Sequence, residues 1–181
     1  MPDSNLTRRD IIKDGKIVVD DWEIIKLADD QFAETIDIPN GKVIVPLSVW
    51  QTQYDALSSR GNVGFWLASS ERADTLKNAI HSLPVVAIDF PKFSDGRGYS
   101  LAYNVRARLG YLGELRAIGD VLRDQLFYMQ RVGFNSFVIR SDRKIEDALK
   151  GLTDFSVSYQ TSIDHKSPLF RRVERPRNHV S

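Results

Sequence analysis

Arg97 stands between Gly96 and Gly98 in the run Phe90-Pro-Lys-Phe-Ser-Asp-Gly-Arg-Gly-Tyr-Ser100, a combination suited to holding a small oxyanion. Glycines let backbone approach a bound group and present amide donors at the start of a helix, and a guanidinium offers a two-pronged fork that lysine lacks. Sulfite, sulfate, phosphate or a carboxylate fits that description. The plain alternative is a tight turn in which Asp95 caps the helix and pairs with Arg97. A second loop, Gly119-Asp120 followed by Arg123, Asp124 and Gln125, offers another cation and more carboxylates. Asp120 is most simply a helix N-cap, and Asp95 or Asp120 becomes a candidate catalytic proton carrier if its carboxyl is shifted upward. Arg116, flanked by Leu115 and Ala117, requires a partner if it is buried. Glu114 is the plain partner, and Asp89 or a bound anion is the sharper one.

Other chemistries find no support. The chain has no cysteine, which removes disulfides, thiolate catalysis and a cysteine-held iron–sulfur cluster. His81, His165 and His179 are far apart in sequence and form no zinc pattern, so no metal site is expected. Gly96-Arg-Gly98 lacks the third glycine and later acid of a dinucleotide fingerprint, and no phosphate loop is present, so the cofactor stays unknown. Phe90, Phe93, Tyr99 and Tyr103 beside basic residues lack an RNA-binding signature and are expected to pack, so nucleic acid is not an expected partner.

The elements that must position these groups alternate. Short apolar runs at Val43 to Leu47, Val63 to Ala68, Val85 to Phe90, Glu114 to Ile118 and Ser136 to Ile139 predict strands, each followed by a helical stretch. Ser48 to Gln51 fits a capping box, followed by Trp50, Tyr54 and Leu57 on one face. Ala73, Leu76, Ile80 and Leu83 form a second stripe, Leu101, Ala102, Val105 and Leu109 a third, and Leu122, Leu126, Met129 and Val132 a fourth. Gly110 and Gly133 stand where C-caps are expected. Ile145, Ala148 and Leu149 predict a fifth helix ending at Gly151, and Phe155, Val157 and Tyr159 alternate like an edge strand. Before the core, Lys16 to Leu27 predicts a hairpin around Asp20-Asp21, and Ala28 to Asn40 a surface loop.

The expected fold class is therefore α/β: a mostly parallel sheet of about five strands with helices on both faces, plus an N-terminal β-hairpin. An incomplete (β/α) barrel is the alternative, since a full eight-stranded one needs roughly 250 residues. At 181 residues the chain suits one domain, with 1–40 as hairpin and loop, 41–160 as core and 161–181 as a basic tail. Hydrophobic residues make up 42% and the formal net charge is +1, which supplies a full core and no large field for nucleic acid or anionic lipid. With no apolar stretch near 18 residues and no signal-like N-terminus, the expected location is the cytoplasm. In such a sheet ligands collect beyond the carboxyl ends of the strands, which selects Ser48, Ser69, Ser70, the 89–99 loop, Gly119-Asp120 and Arg140 to Asp142.

The central run, together with Leu115-Arg-Ala-Ile-Gly-Asp120-Val-Leu-Arg-Asp-Gln-Leu126 and Arg131-Val-Gly-Phe134, resembles an uncharacterised bacterial family associated with assimilatory sulfite reduction. Asp20-Asp21-Trp22, Val43 to Leu47 and Tyr159-Gln160 extend the resemblance over most of the chain. Members are labelled probable oxidoreductases, so the resemblance implies a pathway without transferring catalytic residues. It suggests an accessory protein or oxidoreductase component that binds a small oxyanion, the sulfite reductase, or both, with Arg97 and Arg123 holding the anion. A small α/β enzyme acting on a phosphorylated or sulfonated metabolite is the alternative, and a non-catalytic interaction module is the third.

Overall fold

The computed structural model describes residues 8–153. Arg9–Lys13 (β1) and Lys16–Asp20 (β2) form an antiparallel hairpin. Its turn is Asp14-Gly15, where both residues have positive φ, 51° and 75°. That backbone matches the twist of paired strands and is the reason an Asp-Gly dipeptide marks a hairpin. The expected turn at Asp20-Asp21 is thus corrected: those acids end β2, and Glu23–Ile24 (β3) opens a new strand on the far side of the sheet.

Val43–Pro46 (β4), Val63–Ala68 (β5), Val85–Phe90 (β6), Glu114–Gly119 (β7) and Ser136–Phe137 (β8) follow, close to their expected limits. The sheet has eight strands rather than five, in the order β2-β1-β8-β7-β6-β5-β4-β3. Strands β3 to β8 are parallel, each beside the next, and the hairpin adds antiparallel pairing at β8.

That order forces curvature. Eight flat strands would place their outer members about 34 Å apart at 4.8 Å per step. Yet β2 and β3, the outer members, are joined only by Asp21 and Trp22, which span at most about 11 Å. The sheet therefore curls into an incomplete barrel, matching the barrel-like alternative.

Leu47–Thr52 (α1), Tyr54–Leu57 (α2), Arg97–Tyr103 (α3), Arg123–Val132 (α4) and Ile145–Thr153 (α5) lie on one face only. The expectation of helices on both faces is corrected, because right-handed crossovers that always advance in one direction stack every helix on the same side. Buried Trp50, Leu101, Val105, Leu126, Met129 and Ala148 pack there against Val45, Phe65, Ile88 and Ala117. The opposite, inward face carries Ile44, Val85, Ala87 and Ile118, covered by Trp22, Ile24, Trp66 and Val138.

Local differences have simple causes. Pro46 precedes α1 and no side chain caps it, so Ser48 sits inside the first turn rather than at an N-cap. The second predicted helix is two 3-10 turns, Ala73–Thr75 and Lys77–Ser82, although Ala73, Leu76, Ile80 and Leu83 are buried as expected. Helix α3 continues into a π turn, Asn104–Arg108, and α5 runs past Gly151. The expected Phe155 to Tyr159 strand, His165, His179 and the basic tail lie outside the described residues.

Candidate functional site

Strand alternation decides which groups face the interior. On β7, Leu115 and Ala117 meet the helices, so Glu114, Arg116 and Ile118 point inward. Arg116 is 1% exposed and donates to both oxygens of Asp20 at 3.0 Å and to Glu114 Oε1 at 2.9 Å from Nε. Lys13 reaches Glu114 at 2.9 Å and Arg9 reaches Asp20 at 3.2 Å, so a five-member ion network ties β1, β2 and β7 together inside the barrel. Burial works to raise the Glu114 carboxyl, and the charge of Arg116 outweighs it with help from hydrogen bonds, leaving the group below its usual value. Every prong of Arg116 thus already serves a carboxylate, and Asp20 is the partner its sequence neighbours did not reveal.

Arg97 lies on the helix side. Its Nε and Nη2 grip Asp95 at 3.0 and 2.8 Å, its backbone N–H donates to Asp95 Oδ1 at 3.1 Å, and Ser69 Oγ donates to Oδ2 at 2.6 Å. The Arg97 fork first, and the Ser69 hydroxyl next, hold the Asp95 carboxyl far below the usual range. The expected pairing of Asp95 with Arg97 is present, while the N-cap of α3 is Gly96 without a side-chain cap, and an anion at Arg97 would have to displace Asp95. Gly98 is required by packing, since a Cβ there would come within 2.5 Å of the Phe90 ring, while Gly96 has open space around it. A pocket of about 280 Å³ beside Arg97 is lined by Glu71, Arg72, Ser100, Asn104 and Arg108.

Asp120 is not the N-cap of α4, a position held by Leu122 without any side-chain cap. It fastens two loops instead. Its Oδ2 accepts the Phe93 N–H at 2.9 Å, and its Oδ1 accepts from Arg140 Nη1 at 2.8 Å. The Gln125 amide completes the clasp by donating to the Phe93 carbonyl. Arg123 opens α4 and lies against α5, where the absence of a side chain at Gly151 admits its carbonyl and Cγ. The predicted residues therefore fall in four places: Asp95, Gly96, Gly98 and Arg97 at the α3 turn, Arg116 in the interior, Asp120 at the mouth, and Arg123 packed on α5.

A cleft of about 850 Å³ opens at the carboxyl ends of β7 and β8. Its walls include Ile24, Ile118, Gly119, Val138 and Ile145, and its charged groups are Arg9, Asp10, Lys26, Arg140, Asp142 and Arg143. The register that sets Ile12 opposite Phe137 and Lys13 opposite Ser136 carries the start of β1 to the level of Arg140. Arg140 also holds Asp142 in a fork at 3.0 and 2.9 Å. Lys26 differs: among the described residues no carboxylate lies within ion-pair distance of it.

Asp89 ends β6 beside this cleft, half-buried, with no hydrogen bond to its carboxylate among the described residues. Burial raises its carboxyl above the usual value, and the charge of Lys26 opposes that rise. Its neighbour Gly119 has φ +89°, and a Cβ there would fall 2.4 Å from the Phe90 carbonyl oxygen and 2.6 Å from Asp89 Oδ1. Glycine is needed both for the backbone and for the room Asp89 occupies. Lys26 and Arg9 were not foreseen, because the misplaced hairpin turn hid the alternation of Trp22, Ile24 and Lys26; the Asp14-Gly15 dipeptide was the signal that could have found them.

This arrangement can bind an anion at Lys26 and move a proton at Asp89. Among the described residues no cluster of His, Asp or Glu is arranged to hold a metal ion, and no helix is long and apolar enough to cross a membrane. No curated protein and no solved structure matches the chain. A family model does match, over residues 64–170, a span that takes in Asp89, Gly119, Asp120 and Arg140 but neither Lys26 nor Arg9. The chain belongs to the family described as bacterial protein of unknown function, DUF934.

Proposed function

We propose that the protein binds a small oxyanion at the mouth of its barrel and serves assimilatory sulfite reduction as an accessory component, delivering the anion to a sulfite reductase or docking on it. The observation that carries the binding half is Lys26, an exposed cation on the wall of an open cleft with no carboxylate within ion-pair distance among the described residues, and Arg140 and Arg143 line the same cleft. A cation held near low-dielectric walls attracts an anion more strongly than one in open water. The pathway half rests on the sequence resemblance. The position agrees with the general placement of sites at the carboxyl ends of parallel strands.

The test is thermal unfolding with sulfite, sulfate and phosphate, for wild type and for Lys26→Ala. A ligand at 100 times its dissociation constant adds about 2.7 kcal/mol, a rise in Tm of roughly 5 to 10 °C for a chain of this size. A rise that Lys26→Ala removes supports the reading, and no rise with any of the three anions overturns it. Co-purification with the reductase tests the pathway half.

A second reading, a small α/β enzyme acting on a phosphorylated or sulfonated metabolite, is favoured by Asp89. A half-buried carboxyl shifted upward by burial, with Lys26 opposing the shift, is suited to taking and returning a proton. Asp95, held as an anion by Arg97 and Ser69, is a poorer proton carrier, and Asp120 is committed to Phe93 and Arg140. Turnover that survives in Asp89→Asn removes this assignment.

A further inference from the structure

The cleft is far larger than an inorganic oxyanion requires. Its volume of about 850 Å³ falls in the range of sites that enclose whole organic ligands, about 300–1,000 Å³. Its walls are also divided. Ile24, Ile118 and Val138 are continuous with the apolar interior beside Trp66, and Ile145 adds a further aliphatic side chain from the start of α5. Lys26, Arg140 and Arg143 supply the cations. Inorganic sulfite would satisfy the cations and leave the aliphatic wall facing water.

From this juxtaposition we infer that the natural ligand is an organic anion: a flat or aliphatic apolar body that lies over Ile24, Ile118 and Val138 and carries a sulfonate, phosphate or carboxylate at Lys26. The inference rests on the proposed anion site and adds the body to it. Arg140 sets the depth of the charged end. One of its partners, Asp120, is only 21% exposed and is fixed to the Phe93 loop, while the other, Asp142, is 55% exposed and can be exchanged for the ligand's oxygens. The charged end thus binds at the rim, and the body points toward Trp66.

Calorimetric titration of the full chain with three probes tests this: naphthalene-1-sulfonate, inorganic sulfate and 1-naphthol. The sulfonate is expected to bind at least about tenfold more tightly than either of the others, because only it meets both the cations and the aliphatic wall. Sulfate is expected to compete with it. Lys26→Gln should weaken the sulfonate at least about fivefold and leave the naphthol unchanged, and Val138→Ser should weaken the sulfonate and leave sulfate unchanged. Urea midpoints within the wild-type range show that each variant is folded.

Sulfate binding as tightly as the sulfonate, still dependent on Lys26, overturns the organic body and leaves the oxyanion site standing. Naphthol binding as tightly as the sulfonate, with no effect of Lys26→Gln, overturns the anionic end. Failure of all three probes to bind overturns both this inference and the site beneath it.

Discussion

Arg116 and Asp20, 96 residues apart in sequence, meet with side chains that are each 1% exposed, and Nη1 lies 3.0 Å from both carboxylate oxygens. Asp20 ends one outer strand just before the chain crosses to the other, so this pair fixes the point at which the curled sheet comes round on itself. Asp20→Ala leaves Arg116 buried with Glu114 as its remaining acid, and the expected loss of stability is about 3 kcal/mol. Lys13→Ala removes a cation whose side chain is 40% exposed and should cost below about 1 kcal/mol. Urea denaturation separates the two, and equal losses would contradict the network described.

Asp89 and Asp95 are expected to impose opposite pH dependences. Asp89 is raised in the fold, so it holds its proton more tightly folded than unfolded; its contribution is full below the usual 3.8 and is lost as pH climbs through the higher folded value. Asp95 is lowered, so its contribution is full above 3.8 and is lost as pH falls through the folded value. Asp89→Asn should therefore remove part of the stability loss seen as pH rises from the acid side. Asp95→Asn should remove part of the loss seen on acidification. Urea midpoints measured at steps between about pH 2 and 7 check both signs, and a change of the same sign in the two variants would contradict the assignment.

Gly119→Ala forces a side chain into a left-handed backbone and against the Phe90 carbonyl and Asp89. The expected cost is about 2 kcal/mol or more, read as a fall in the urea midpoint. Gly96→Ala, with open space and φ −68°, is the control and should change stability by less than about 0.5 kcal/mol.

Lys26 and Arg97 make competing claims on an anion, and substitution separates them. Lys26→Ala is expected to abolish the Tm rise with sulfite. Arg97→Ala, which removes a guanidinium 63% exposed and already paired with Asp95, should leave that rise intact and change stability little. The reverse pattern would move the anion to the α3 turn.

Asp142→Asn frees two prongs of Arg140 and removes a negative charge from the cleft. Anion affinity should rise, and the gain should shrink as salt is added. Calorimetry at low and high ionic strength measures both; a loss of affinity would show that Asp142 positions Arg140 rather than competing for it.

Much of this fold is written in local pattern. The runs at Val63 to Ala68 and Val85 to Phe90 are strands at those limits, because a strand covered on both faces needs apolar residues without interruption. The stripe Leu126, Met129 and Val132 is a helix for the corresponding reason at a period of 3.6. Asp95 pairing with Arg97 was also legible, since two residues of separation and opposite charge suffice for contact. The turn chemistry of Asp14-Gly15 is legible too, and it sets the hairpin register that leaves Trp22 and Ile24 facing inward.

The sequence alone determined the strands from Val43 to Phe137, the apolar stripes of α3 and α4, and the short-range pairs Asp95–Arg97 and Glu114–Arg116. Tertiary structure alone decided that the crossovers all advance one way, that the helices share one face, and that the two outer strands are consecutive pieces of chain. It also decided that Asp20 reaches Arg116, that Lys26 and Arg140, more than a hundred residues apart, line one cleft, and that Asp89 feels the charge of Lys26. Strand order is a property of non-local pairing, in which the hydrogen bonds are the same whichever neighbour is chosen, so no local pattern of residues encodes it.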